Sequence, residues 1–220
     1  MSSVVEICNM ALAQIRSGSI NSLEESSLQA QQCKLHYPIA RDQVLKEAAW
    51  GFAHKITPLA ELSSADIFGW SYVWQYPNDC LLINNVLRNW EDVAADTGYV
   101  AGSRLYDHRF RRPRDLPRVE YRVFHNDGNK VIVTNEAEAR IDYRAKVTDS
   151  TLYPPHLKTA LSFLLASYVA IPIVGVKDGR QLRTDCLALY NAFVSEAKDD
   201  NANEQFIEPQ ESEFITIREG

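Results

Sequence analysis

The sequence lacks the long uninterrupted apolar run, about eighteen residues or more, that a membrane-spanning helix needs. Its longest apolar stretch, residues 160–176, is broken by Ser162, Ser167 and Pro172 and keeps a helical period. That pattern predicts a buried core helix. The start, Met1-Ser2-Ser3-Val4-Val5-Glu6, has no basic region ahead of an apolar block, so no export signal is read there. Cysteine is scarce and scattered, at Cys8, Cys33, Cys80 and Cys186. Three of the four fall within apolar helical patterns, where a free thiol behaves as a small hydrophobe, and reduced thiols are expected rather than a disulfide framework.

Motifs for the common chemistries are missing too. There is no Gly-x-Ser-x-Gly elbow and no Gly-x-x-x-x-Gly-Lys phosphate loop. Cys33-x-x-His36 could set two metal ligands on one helical face, but structural zinc takes four and no second pair follows. The expectation is a core cysteine beside a partly exposed histidine. Glu24/Glu25 and Asp199/Asp200 are adjacent carboxylates, and glycosidases use carboxylate pairs. Solvated surface charge is the simpler account. No catalytic residue, cofactor or metal site is assigned.

Charge, by contrast, is unevenly placed. Between Arg104 and Arg118 lie six arginines (104, 109, 111, 112, 114 and 118) against Asp107 and Asp115, giving +4. The whole chain carries −6, which leaves −10 for the remainder. The molecule therefore reads as an acidic body with one arginine-rich segment.

Val4, Val5, Cys8, Leu12 and Ile15 recur at helical spacing and predict a helix over 3–16, with Gly18 as its stop. A second helix is expected near 26–49, capped by Ser26 or Ser27, with Leu28, Cys33, Leu35, Tyr37, Val44, Leu45 and Ala48 as its apolar positions. Pro38 lies inside it and should kink it. From 52 to 147 the helical period gives way to short β-branched and aromatic runs: 52–59, 71–76, 80–87, 118–125, 131–134 and 141–147. Asn126-Asp127-Gly128-Asn129 between two of these runs is a hairpin signal. Trp50, Phe52, Trp70, Trp74 and Tyr76 are expected at the junction between helices and strands. Pro154-Pro155 opens a helix over 155–174, and Asp178-Gly179 separates it from a last helix over 180–198. The expected fold is α+β: a helical bundle of N- and C-terminal helices (1–50 and 150–200), a mostly antiparallel β insertion (51–149), and an extended acidic tail (201–220).

The order of motifs also resembles a known family. Ala11-Leu12, Ile15, Ile20 and Leu23-Glu24-Glu25 lead to Ala30, Cys33, Tyr37-Pro38-Ile39-Ala40-Arg41-Asp42 and Leu45, closing at Trp50-Gly51-Phe52-Ala53. Tyr76-Pro77-Asn78-Asp79-Cys80-Leu81 forms a second block. Tyr143, Val147-Thr148-Asp149, Leu161, Leu164-Leu165-Ala166 and Ala170-Ile171-Pro172-Ile173 form a third. Together they resemble the tail tubular protein A family, the head-to-tail adaptors (gatekeepers) of short-tailed bacteriophages, over most of the chain except about 90–115 and the tail. The resemblance implies a non-enzymatic virion protein, assembled in the host cytoplasm, that forms a dodecameric ring. Portal protein would bind one face and the tail nozzle (tail tubular protein B-like) the other, with genomic DNA passing through the lumen and no membrane partner. The alternative is a tail-associated enzyme acting on cell-surface glycan.

Within that expectation two segments stand out. Arg104, Arg109, Arg111, Arg112 and Arg114 alternate with Tyr106, His108 and Phe110, a pattern suited to phosphate contact with some stacking. A protein partner is favoured over DNA, because a sliding channel should not grip phosphate and the rest of the chain is acidic; a solvated loop is the third reading. Arg41-Asp42 reads as local surface charge rather than an intersubunit pair. The tail carries Phe206-Ile207 and Phe214-Ile215-Thr216-Ile217 among acidic residues and is expected to dock on a partner as an added strand or anchor. Replacing Arg109, Arg111, Arg112 and Arg114 with Ser should abolish head-to-tail joining, measured as joined particles by electron microscopy. Intact joining with lost DNA retention would instead assign the segment to DNA.

Overall fold

A computed structural model of the chain describes residues 3–62, 67–88 and 118–203. The fold is α+β, with four helices and two small antiparallel sheets among the described residues. Helix α1 spans Val4–Gln14, α2 Leu28–Glu47, α3 Pro155–Val174 and α4 Val176–Asn203.

Helix α1 starts on a capping box. The Glu6 N–H donates to Ser3 Oγ, and the Ser3 N–H donates to the Glu6 carboxylate at 2.9 Å. It ends earlier than Gly18 suggests. Arg16 takes the left-handed conformation at φ 57°, and Ser17 N–H reaches back to Leu12 O at 3.0 Å. That six-to-one bond satisfies the helix end without glycine. Helix α2 is capped by Ser27, which accepts from Ala30 N–H, and runs on through Pro38.

Helix α3 is buried almost continuously from Ala160 to Ala170. By length and mean hydropathy of 1.8 it could cross a membrane, yet it forms the centre of the helical core. Ile7, Leu12, Val44, Leu45 and Trp50 pack on it from the N-terminal side, and Cys186, Tyr190 and Val194 from the C-terminal side. One hydrophobic interior thus joins both ends of the chain.

The α3–α4 break falls at Gly175 (φ 96°), not at Asp178-Gly179. Gly179 serves a different purpose: it is buried inside α4, and a Cβ there would lie 2.9 Å from Ile171 Cα and 3.0 Å from Ala170 O. The missing side chain lets the two helices touch backbone to backbone.

The strands are β1 (His54–Pro58), β2 (Tyr72–Gln75), β3 (Cys80–Leu87), β4 (Tyr121–Asn126), β5 (Asn129–Thr134) and β6 (Arg140–Ala145). One sheet has the order β1-β6-β3 and the other β2-β5-β4, all neighbours antiparallel. The β4–β5 hairpin turns on Asp127 (φ 48°) and Gly128 (φ 81°), as the Asp-Gly pair predicts. Trp74, Val86, Ile132, Ile141 and Tyr143 fill a second hydrophobic cluster. Aromatics expected together at the junction are divided. Trp50 is in the helical core with Phe52 against it, whereas Trp74 and Tyr76 belong to the second cluster and Trp70 packs against Val73, Val131 and Val133. The hydrogen-bonding needs of the two buried indoles explain this split: Trp50 Nε1 donates to Val44 O in α2, and Trp74 Nε1 to Thr134 Oγ1 in β5, each at 2.8 Å.

Gly179→Ala should destabilise the chain by about 1 kcal/mol or more, because overpacking against backbone outweighs the better helix propensity of alanine. Gly18→Ala, with open space around the new methyl, is the control. Urea midpoints of the two variants check this, and equal midpoints would show that α3 and α4 do not need their close approach.

Candidate functional site

Of the six arginines, Arg118 is placed: it bridges Leu87 in antiparallel fashion, and the Val119 N–H donates to Val86 O at 2.9 Å. The described residues on either side of 89–117 therefore meet at the end of β3. Arg104, Arg109, Arg111, Arg112 and Arg114 lie outside the described residues, as do Phe206, Ile207, Phe214, Ile215 and Ile217 of the tail. The other end of β3 meets the helices, where Leu81 and Val147 pack on the helical core. Eight residues at about 3.3 Å each separate the two ends. The described residues that flank the arginine-rich segment thus lie at the far end of the β lobe.

A cleft of about 590 Å³ opens beside that end, lined by Pro58, Leu59, Glu61, Tyr72, Trp74 and residues 137–140. Arg140 of its rim pairs with Pro58 on one side and Leu87 on the other. The rings of Tyr72 and Trp74 stack at 5.8 Å, but Trp74 is buried, leaving Tyr72 as the accessible ring. Glu61 and Glu138 contribute exposed carboxylates.

Nearer the helices the lobe is held by directional polar contacts. Asp79, from the Tyr76–Leu81 block, accepts from Lys55 Nζ at 2.5 Å and from Tyr143 OH at 2.9 Å, while its backbone carbonyl accepts from Lys146 N–H at 2.6 Å. Partial burial pushes the Asp79 carboxyl up, but the hydrogen bonds from Lys55 and Tyr143 and the Lys55 charge outweigh it and hold the group below its ordinary value. Burial and the same carboxylate push the Tyr143 phenol up to about 12. Asp142 accepts from Asn84 Nδ2 at 3.0 Å and shares a 2.6 Å bond with His54 Nε2. The Arg144 guanidinium donates to the Lys46 carbonyl of α2.

Arg41-Asp42 is an intrachain pair, as its adjacency suggests, but not a surface one. Arg41 is 8% exposed and meets Asp42 through both Nε (2.8 Å) and Nη2 (2.7 Å). Lys146 of the β lobe approaches the same carboxylate at 3.4 Å. The pair is drawn inward because it joins the helical and β parts.

Neither sequence candidate for chemistry gains a partner set. Cys33 is buried against Cys8, whose thiol is held protonated by its hydrogen bond to Cys33 and by burial, while His36 turns to the Tyr168 ring at 5.9 Å. All four cysteines are free. Glu24 pairs with Lys34 at 2.6 Å, and Glu25 accepts from the Asn21 and Ser22 backbone. Among the described residues no three His, Cys, Asp or Glu side chains gather as metal ligands.

One surface escaped the sequence reading. Leu28 and Leu35, two of the apolar positions of α2, are 47% and 60% exposed, and Ile39 is 54% exposed. At 3.6 residues per turn these three fall within about 40° of one another. They lie on the side opposite Ala30, Cys33, Tyr37, Ala40 and Val44, which are buried. Helix α2 is apolar on two opposite faces, and the described residues cover only one. The signal was present: its apolar residues occupy more directions than a single core-facing stripe can use.

Compared with known protein families and with curated proteins, the chain has no match.

Asp79→Asn should lower stability by about 1 kcal/mol or less, since its ion pair is partly solvated. A depressed carboxyl stabilises above its unfolded value near 4 and loses that contribution as pH falls through the lower folded value. The gap between wild type and variant in urea midpoint should hold from about pH 7 to 5 and close below pH 4. A gap that persists at pH 2.5 would show that the carboxylate charge is not what holds the strand entry.

Proposed function

We propose that this chain is a structural adaptor of a short-tailed bacteriophage, resembling tail tubular protein A, that acts through contact surfaces rather than catalysis. The observation that carries the reading is the second apolar face of α2. A buried-plus-exposed pair of apolar faces belongs to an element with one partner inside the chain and another outside it.

A second support comes from where the family-like motifs fall. Asp42 of α2 meets Lys146 of the β lobe, Trp50 Nε1 is anchored to the Val44 carbonyl at the end of α2, and Asp79 bonds Tyr143 within the lobe. These contacts fix the geometry of the molecule, which is what an adaptor must conserve between two partners.

In this reading several copies form a ring between portal and tail nozzle, dodecameric as the resemblance implies, with genomic DNA passing through the lumen of the virion neck. Portal contact templates a ring that the free subunit forms poorly. The arginine-rich segment, leaving the far end of the β lobe, meets an acidic protein surface, and the tail docks on the portal or a neighbouring copy, both ordering on contact.

The cleft favours a second reading, an enzyme acting on cell-surface glycan. Glu61 and Glu138 would be its acid and base, beside Tyr72 as a sugar-stacking ring.

Mixing purified chain with portal rings and measuring the mass of the complex separates the two. A multi-copy stoichiometric complex is expected, weakened by deletion of 204–220 without loss of the fold. Turnover of host polysaccharide without portal binding, abolished in Glu61→Gln or Glu138→Gln, would replace the adaptor with the enzyme.

A further inference from the structure

Helix α4 also has a back face. Buried Gly179, Cys186, Tyr190, Val194 and Ala197 mark its core side. Opposite them, at the helical period, lie Gln181, Thr184, Ala188, Ala192 and Ser195, all exposed. These five side chains are uncharged over fifteen residues, a rise of about 21 Å, with the Asp185 carboxylate beside them bonded to Gln181. The five are small, whereas those on the back of α2 are large. Knobs on one helix and shallow holes on the other are the ingredients of ridge-into-groove packing.

We propose that these two faces are complementary halves of one contact: the Leu28–Leu35–Ile39 ridge of one copy seats on the Thr184–Ala188–Ala192 face of a second copy. The inference rests on the adaptor reading for the number of copies that follow one another, though not for the contact itself.

Three observations point to a second copy of this chain as the occupant. First, both halves are carried by the same chain, on helices that each pack against α3 and leave their backs outward. A contact between two different faces of identical subunits is heterologous, so it propagates from copy to copy and closes when the rotation allows.

Second, charge selects one alignment. With Leu35 set over Ala188 and the helices parallel, exposed Lys46 comes within reach of exposed Glu196 near the end of α4. The antiparallel alignment sets Lys46 against Lys177. Within one chain Lys198 bonds Glu47 at 3.2 Å, bringing the C-terminal ends of α4 and α2 together. A rotation about an axis along the helices would preserve that common direction between neighbours.

Third, the area is small. Three side chains about half exposed amount to a few hundred Å², the scale of a functional patch on a monomer. A stable two-body interface buries about 800 Å² on each partner. The contact is therefore weak singly and gains strength by repetition, since every copy in a closed series makes it twice.

The test is portal-free cross-linking of concentrated full-length chains with a short bismaleimide. Leu35→Cys protein is mixed with Ala188→Cys protein, and the dimer yield is compared with that of Leu35→Cys mixed with Glu120→Cys, an exposed position on the β lobe. The mixed pair should exceed this control about tenfold, the loss expected when one well-packed contact is absent. Adding Ile39→Glu to the Leu35→Cys chain should return the yield to the control level, with an unchanged melting temperature showing that the fold persists. Yields at control level throughout would overturn the proposal. Equal yield from Leu35→Cys alone would replace it with a two-fold contact of α2 on itself. Mixed-pair cross-linking that appears only after deletion of 204–220 would mean that the chain's own tail occupies the ridge, which also overturns it. Because no portal is present, failure here leaves portal binding to be judged separately.

Discussion

Everything in this molecule depends on the burial of α3. From Ala160 to Ala170 the helix has almost no polar side, and its two serines turn their hydroxyls back onto the Thr159 and Leu164 carbonyls. Such a helix cannot lie on a surface. It must be enclosed on all sides, and its own neighbour α4 covers only one. The remaining cover comes from α1 and α2, more than a hundred residues earlier. The two ends of the chain are therefore drawn together, and whatever lies between them becomes an insertion.

That constraint shapes the β lobe. Its strands enter and leave at neighbouring points, so β1 and β6 pair while the rest must form a self-contained unit. The lobe fills its own cluster around Trp74, Ile132 and Tyr143 and shares little apolar surface with the helices. Directional contacts cross between them instead, Arg144 on the Lys46 carbonyl and Lys146 beside Asp42, while Asp79 gathers Lys55, Tyr143 and the Lys146 backbone inside the lobe. Hydrophobic contact tolerates sliding, whereas a bidentate pair or a carboxylate with two donors does not. The polar seam sets an angle between the two parts.

Much of this was legible in the chain itself. The continuous apolar run of α3, the Asp-Gly hairpin and the strand starting at Cys80 each follow from local rules, because one period or one turn type decides them. The misreadings share a cause: the deciding partner lay outside the local window. Gly179 looks like a helix break until its closeness to Ile171 is known; then it is a helix–helix contact, and Gly175 four residues earlier takes the positive φ. Arg16 replaces Gly18 at the end of α1 because the Ser17 and Arg16 amides already satisfy the last turn. Leu35 counts among the apolar positions of α2 because it is leucine, although Cys33 and Tyr37 already define the buried side. As for the candidate site, the arginine segment and the tail are sequence observations whose points of departure the fold supplies, while the cleft between the sheets joins residues as distant as Pro58 and Arg140 and has no local signature.

The exposed ridge of α2 bears on how such a protein could remain separate until it is needed. Had the ridge been several times larger, free copies would associate wherever they met, and as open chains as readily as rings, because a heterologous contact has no inherent stopping point. The proposed contact of a few hundred Å² would avoid this: it would form and break in solution and persist only where another surface already holds neighbours in register. The contacts of α2 and of α4 with α3 serve the same end from within. They keep the two backs, on α2 and α4, at a fixed separation, so that a weak contact repeated around a closed series need not also supply the energy to reshape each subunit.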